Sequence, residues 1–328
     1  MDSSVSSLTQ YGSFRKPTFP LSNSCRHKPR RWPLALRFIK GAIHHVILVP
    51  ILLHTLFTCI IVYIHINIQT LSVPANIVPS LSIVVGLMLV FRNSSSYDRY
   101  WGGRTNLQSI GTSVRNLTRS FLVCGPDRDE ADRKETEKVV KVLVGMLYAV
   151  KNHLRSTWGH GYLLPEYKGL LPEGMYGFES EGVGLVLELA VVVERYIKRG
   201  VDRGAFNAPQ SSMLSSQLNA LVDAYGKMET IKLTPIPIAH QIHQKQVLAL
   251  YCCVLPFCLV DELGWLCVPI ICLICFMLYG IEGIGEEIED PFGSDKNDIK
   301  IDAIIEDLRQ EVSVLLDSWR RGGEEYTI

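Results

Sequence analysis

The chain has no excess charge of either sign: 33 Lys and Arg balance 33 Asp and Glu over 328 residues. That balance excludes a basic nucleic-acid binder and an acidic disordered chain. Nine cysteines in such a length are too sparse for a small disulfide scaffold. There is no Gly-rich phosphate loop, nucleophile elbow or His-Glu-x-x-His motif, which weighs against an enzyme. The most telling absence is local. Between Lys40 and Arg92 there is no Asp, Glu, Lys or Arg in 51 positions, room for two membrane spans of roughly 20 residues each.

What charge there is lies segregated. Residues 1–40 carry a net +7 and residues 280–328 a net −9, so neutrality is a cancellation between a basic head and an acidic tail. Polar residues and Pro74 between Asn67 and Asn76 divide the first uncharged block into expected helices at 41–66 and 77–96. A second apolar pair follows: residues 233–260 hold one charge, Lys245, then Asp261-Glu262-Leu263-Gly264 reads as a tight turn before apolar residues 265–281. Four spans result. A basic segment before the first span predicts a cytoplasmic N-terminus, and four crossings return the C-terminus to that side. The first block is too long, and too far from the terminus, for a secretory signal. Residues 104–232 are charged throughout, with amphipathic stretches at 132–157, 183–199 and 211–230 as in a soluble helical layer; 158–182, rich in Gly and Pro, reads as loop.

These patterns predict an all-α membrane protein organised as a disordered basic segment (1–32), transmembrane helices 1 and 2 (33–104), a cytosolic helical region (105–232), transmembrane helices 3 and 4 (233–285) and an acidic cytosolic segment (286–328). Six cysteines (Cys252, Cys253, Cys258, Cys267, Cys272, Cys275) fall in the last two spans, where they behave as small apolar residues. Cys272-Leu-Ile-Cys275 has metal-site spacing but no second pair. His240 and His243, three apart, read as bonded to polar neighbours at the membrane boundary.

The second span ends Phe91-Arg92-Asn93-Ser94-Ser95-Ser96-Tyr97-Asp98-Arg99-Tyr100-Trp101-Gly102-Gly103-Arg104, with no helix breaker, so the helix is expected to continue beyond the bilayer. Arg92, Asp98 and Arg99 read either as an interfacial anchor or as polar groups facing water and an ion path. Thr234-Pro235-Ile236-Pro237 then leads to His240 and His243, and Glu286-Glu287-Ile288-Glu289-Asp290-Pro291-Phe292-Gly293 follows the fourth span. In this order, across roughly residues 35–305, the three runs resemble the bestrophin family, nearest its bacterial, fungal and plant branch.

The resemblance implies a ring-shaped homopentamer whose second helices line one axial pore, passing chloride or other small anions through a lipid bilayer, with a cation-selective channel of the same fold as the alternative. It implies a hydrophobic neck, for which Ile83, Leu87 and Phe91 fit; a register one turn earlier, Pro79, Ile83 and Leu87, fits as well. Arg92 is the best-placed basic residue for anion preference, with Asp98 and Arg99 as further polar candidates. In animal relatives an acidic turn after the fourth span clasps calcium. Asp295 and Asp298 match its carboxylate positions, and Glu287 and Asp290 the positions that offer carbonyl oxygens. Lys296 and Asn297 stand between the carboxylates where more acid would raise affinity, and bacterial and plant relatives need no calcium, so no cofactor is required and calcium is an optional ligand. The competing functional reading is a non-conducting membrane-anchored scaffold or regulatory subunit. A carrier is disfavoured because no inverted repeats or paired broken spans occur. The host membrane is taken as the plasma membrane.

Overall fold

A computed structural model describes residues 43–156, 165–172 and 184–322. The disorder expected for 1–32 and most of the loop expected at 158–182 lie outside the described residues. The described α-helices are α1 (His44–Asn67), α2 (Val78–Cys124), α3 (Glu130–Leu154), α4 (Leu185–Asp202), α5 (Ala208–Leu233), α6 (Ile238–Leu263), α7 (Cys267–Glu287) and α8 (Ile301–Arg320), with single 3-10 turns at Ala75–Ile77, Pro165–Tyr167 and Gly264–Leu266. No strand occurs among the described residues, so the all-helical expectation holds. Three helical stretches are long and apolar enough to cross a membrane: Val46–Asn67, Ala75–Cys124 and Ile238–Glu287. The last comprises α6 and α7, joined at Gly264, whose φ of 51° is a conformation an L side chain rarely adopts.

Helix α2 is 47 residues long, about 70 Å at the usual rise, and continues past Arg92 as its unbroken sequence predicts. Pro79 sits in its first turn, where a missing N–H costs no hydrogen bond; no proline follows within the helix.

The chain divides into two compact units, to both of which α2 and α5 contribute. The apolar unit holds described residues 43–107 and 226–299. In it α1 packs against α7 and α6 around Ile47, Ile51, Val62, Val85, Leu89, Leu248, Leu255 and Ile271, with Cys252, Cys267 and Cys275 filling small gaps. The described cysteines are free thiols. Leu71 N–H donates to His65 Nδ1 at 3.1 Å, and His65 Nε2 lies 3.2 Å from Asp261. Val73 N–H donates to the Phe257 carbonyl at 3.0 Å. These bonds hold the linker between α1 and α2 against α6.

The polar unit holds described residues 108–156, 165–172, 184–225 and 300–322. Acids open α3 and Lys151 and His153 close it, complementing the helix dipole. It packs against α4 and α8 and buries Val139, Leu143, Met146, Leu147 and Val150. Phe121 meets Tyr196 edge-on, ring centres 5.0 Å apart, and the Tyr196 hydroxyl shares a 2.8 Å hydrogen bond with Thr136. Arg320 on α8 bonds Glu137 on α3, and that bond, with Lys141 adding to it, holds the Glu137 carboxyl down at about 2. Arg309 does the same for Glu306, also to about 2, with help from Gln310 and Tyr148.

Candidate functional site

The first part of α2 has two unlike faces. Val85, Leu89, Arg92, Ser96, Gly103 and Leu107 are buried, whereas Ile83 is 71% exposed, Leu87 55% and Phe91 61%. Those three exposed residues recur every four positions and so stand above one another. Among the described residues nothing covers them, and beyond them the exposed face continues through Ser94, Asp98 and Trp101 to Thr105.

On the opposite face, both arginines of the run end in bonds to the protein. Arg92 is 2% exposed, and its Nη2 donates to Glu289 Oε2 at 2.7 Å. Arg99 donates from Nε to the Glu289 carbonyl at 3.0 Å, from Nη1 to the Thr234 carbonyl at 2.6 Å and from Nη2 to the Ile231 carbonyl at 2.6 Å. Glu289 Oε1 accepts the Ile236 N–H at 3.2 Å and Gln241 Nε2 at 3.0 Å. Thus 91–104, 234–241 and 286–293 form one clasp in the apolar unit. Between two prolines that lack an N–H, Ile236 is the one backbone donor of its triplet, and it goes to Glu289.

Small residues let the clasp close. A Cβ on Gly103 would stand 2.9 Å from the ring of fully buried Phe292, and one on Gly285 would stand 3.5 Å from Arg92 Cγ. Lys232 donates to Asp290 at 2.7 Å, Asn93 to the Ile281 carbonyl at 3.0 Å, and Lys245 to Glu286 at 2.9 Å.

A calcium ion would require the acidic turn to aim several oxygens at one point. Asp298 is buried, and its Oδ2 accepts the Asp295 N–H at 2.6 Å; Glu287 accepts Asn297 Nδ2 at 2.7 Å, and Asp290 holds Lys232. Among the described residues no group of three or more His, Cys, Asp or Glu is gathered as a metal ion would require. Protein donors thus hold the carboxylates of Glu287, Asp290 and Asp298 in the turn. His240 and His243 are both exposed.

A family profile described as Bacterial/Fungal Bestrophin protein matches residues 23–314. The chain belongs to the bacterial/fungal bestrophin family. Curated relatives of this bestrophin include a voltage-dependent anion channel-forming protein of Synechocystis, 35% identical over 247 residues, covering 75% of this chain and 78% of the relative. One of the same description from Nostoc is 38% identical over 234 residues, covering 71% and 75%. Among solved structures, a point variant of a bacterial bestrophin homolog from Klebsiella pneumoniae superposes with a TM-score of 0.74 at 22% identity, covering 83% of this chain and 99% of that one. That likeness is one of fold.

Sequence reasoning placed Arg92, Asp98 and Arg99 together as polar residues of the pore helix; in this bestrophin they part, Arg92 and Arg99 into the clasp and Asp98 onto the exposed face. It missed Glu289, the acid that both arginines reach. The available signal was its place inside the acidic motif, three residues before Phe292. It also missed that Arg92 Nη1, Ser96 Oγ and the Gln244 amide, buried in the apolar unit, have no hydrogen-bond partner among the described residues. Buried groups of this kind ordinarily hold water.

Proposed function

We propose that the protein is a passive anion channel of the chloride-conducting kind, built from five copies around an axis lined by α2, with Ile83, Leu87 and Phe91 as its hydrophobic neck. The observation that carries the reading is the uncovered aliphatic and aromatic face of α2, in a family whose curated relatives are named anion channel-forming proteins. A ring of such side chains sheds water when narrow and admits it when a small helix shift widens it. α1, α2, α6 and α7 are the four crossings, which keeps both termini on one side; the basic head assigns that side to the cytoplasm of the plasma membrane.

The clasp fixes the rotation of α2 about its own axis, and so which face meets the ions. Arg92 supports the neck from behind: it holds α2 to Glu289 and does not itself touch the path. Protein donors to the carboxylates of the acidic turn support a channel that opens without calcium.

Purified protein in liposomes tests the proposal. Chloride flux is expected from the wild type and is expected to vanish in Leu87→Arg, which puts five charges into the neck. Flux unchanged by Leu87→Arg would sink the pore assignment. Intact oligomers with no flux would favour a scaffold.

A further inference from the structure

We infer that Asp98 forms a ring of negative charge in the water-filled path beyond the neck, and that this ring restrains anion passage and sets how far the channel prefers anions over cations. The inference rests on the channel reading above.

Helix spacing places the residue. Asp98 follows Leu87 by eleven positions, close to three full turns, and so projects from the same line of α2, about 16 Å further along its axis. It follows Phe91 by seven, about 10 Å on. Asp98 is exposed, and of all exposed residues from Ile83 to Thr105 it alone is charged. Among the described residues it has no ion pair, while the neighbouring cations are all engaged: Arg92 with Glu289, Arg99 with three backbone carbonyls, and Arg104 with a partner of its own.

The sequence Arg92…Asp98-Arg99 has a net positive sum, which suggests an anion-attracting helix. Folding separates the signs: both positive groups are spent inside the clasp, and the face left to the ions carries one negative charge per subunit. Repeated around an axis, such a group makes a carboxylate ring, which favours cations. Anion preference must therefore arise elsewhere and act against Asp98.

The experiment uses the full chain in liposomes under a potassium chloride gradient, reading the reversal potential of wild type, Asp98→Asn, Asp98→Ser and Asp98→Glu, with Leu87→Arg as the blocked control. Asp98→Asn and Asp98→Ser are expected to raise the chloride-to-potassium permeability ratio several-fold at about 0.1 M salt. The difference should collapse at about 1 M, where the Debye length falls to about 3 Å. Asp98→Glu should follow the wild type. A merely structural Asp98 would show no such salt dependence. Unchanged selectivity in both neutral variants, with Leu87→Arg still blocking, overturns the ring and leaves the channel reading standing. A silent wild type removes the channel reading, and the ring with it.

Discussion

Glu289 holds three stretches of chain with one residue: its carboxylate takes Arg92, Gln241 and the Ile236 N–H, and its carbonyl takes Arg99. Removing one partner of a buried pair leaves the other charge uncompensated, at a cost of about 3–5 kcal/mol. Glu289→Ala and Arg92→Met should each lower the unfolding temperature of the purified protein strongly. The double variant should lose less than the sum, because neither charge is then stranded; additive losses would disprove the coupling. Gly103 gives a second expectation. With Phe292 2.9 Å from its would-be Cβ, Gly103→Val should cost about 1–3 kcal/mol by overpacking, read by the same thermal measurement. The residue types of this clasp were legible in the sequence, and their pairing was not. Arg92 and Glu289 are 197 positions apart, and nothing local distinguishes Glu289 from Glu286, Glu287 or Asp290, its acidic neighbours.

Among the elements, α8 is attached to α3 through charge as well as through its apolar stripe. Glu137 and Glu306 both titrate at about 2 in the folded protein, below the ordinary 4.5, because arginine hydrogen bonds favour their charged forms. Carboxyls lowered by folding add stability that is full above the unfolded value and is lost as pH falls through the folded one. The unfolding temperature should therefore decline as pH drops from about 4.5 toward about 2, and Glu137→Gln should reduce that decline; a variant with the wild-type pH slope would rule Glu137 out as a contributor. The turn after α7 carries an expectation of its own. With its carboxylates held by Lys232, Asn297 and the Asp295 N–H, channel flux should be the same from nanomolar to millimolar calcium, and activation by calcium would show that the turn reopens to bind it. Helix positions were the readily legible part of the fold: the 3.6-residue period and the long uncharged blocks locate α1, α3, α4 and α5 to within about three residues, whereas α6 and α7 run past the ends of their apolar blocks. The full length of α2 was legible only as the absence of a breaker, and its end at Cys124 was not.

For the whole molecule, the expected assembly is five chains, and mass measurement on the detergent-purified protein should return five times the mass of the subunit; a stable monomer or dimer that conducts chloride would require another path. The sequence carried family and membrane character because long apolar blocks and three spaced motifs survive without any knowledge of contacts. It could not carry the sign of charge on the exposed face of α2, since that depends on which arginines the fold withdraws from the helix surface. The uncovered side of α2 has one more consequence, for biogenesis. Ile83, Leu87 and Phe91 are compatible with lipid tails, so a lone subunit in a bilayer would be under no hydrophobic pressure to hide them. Assembly into the proposed pentamer would then draw its force from packing and polar contacts between subunits.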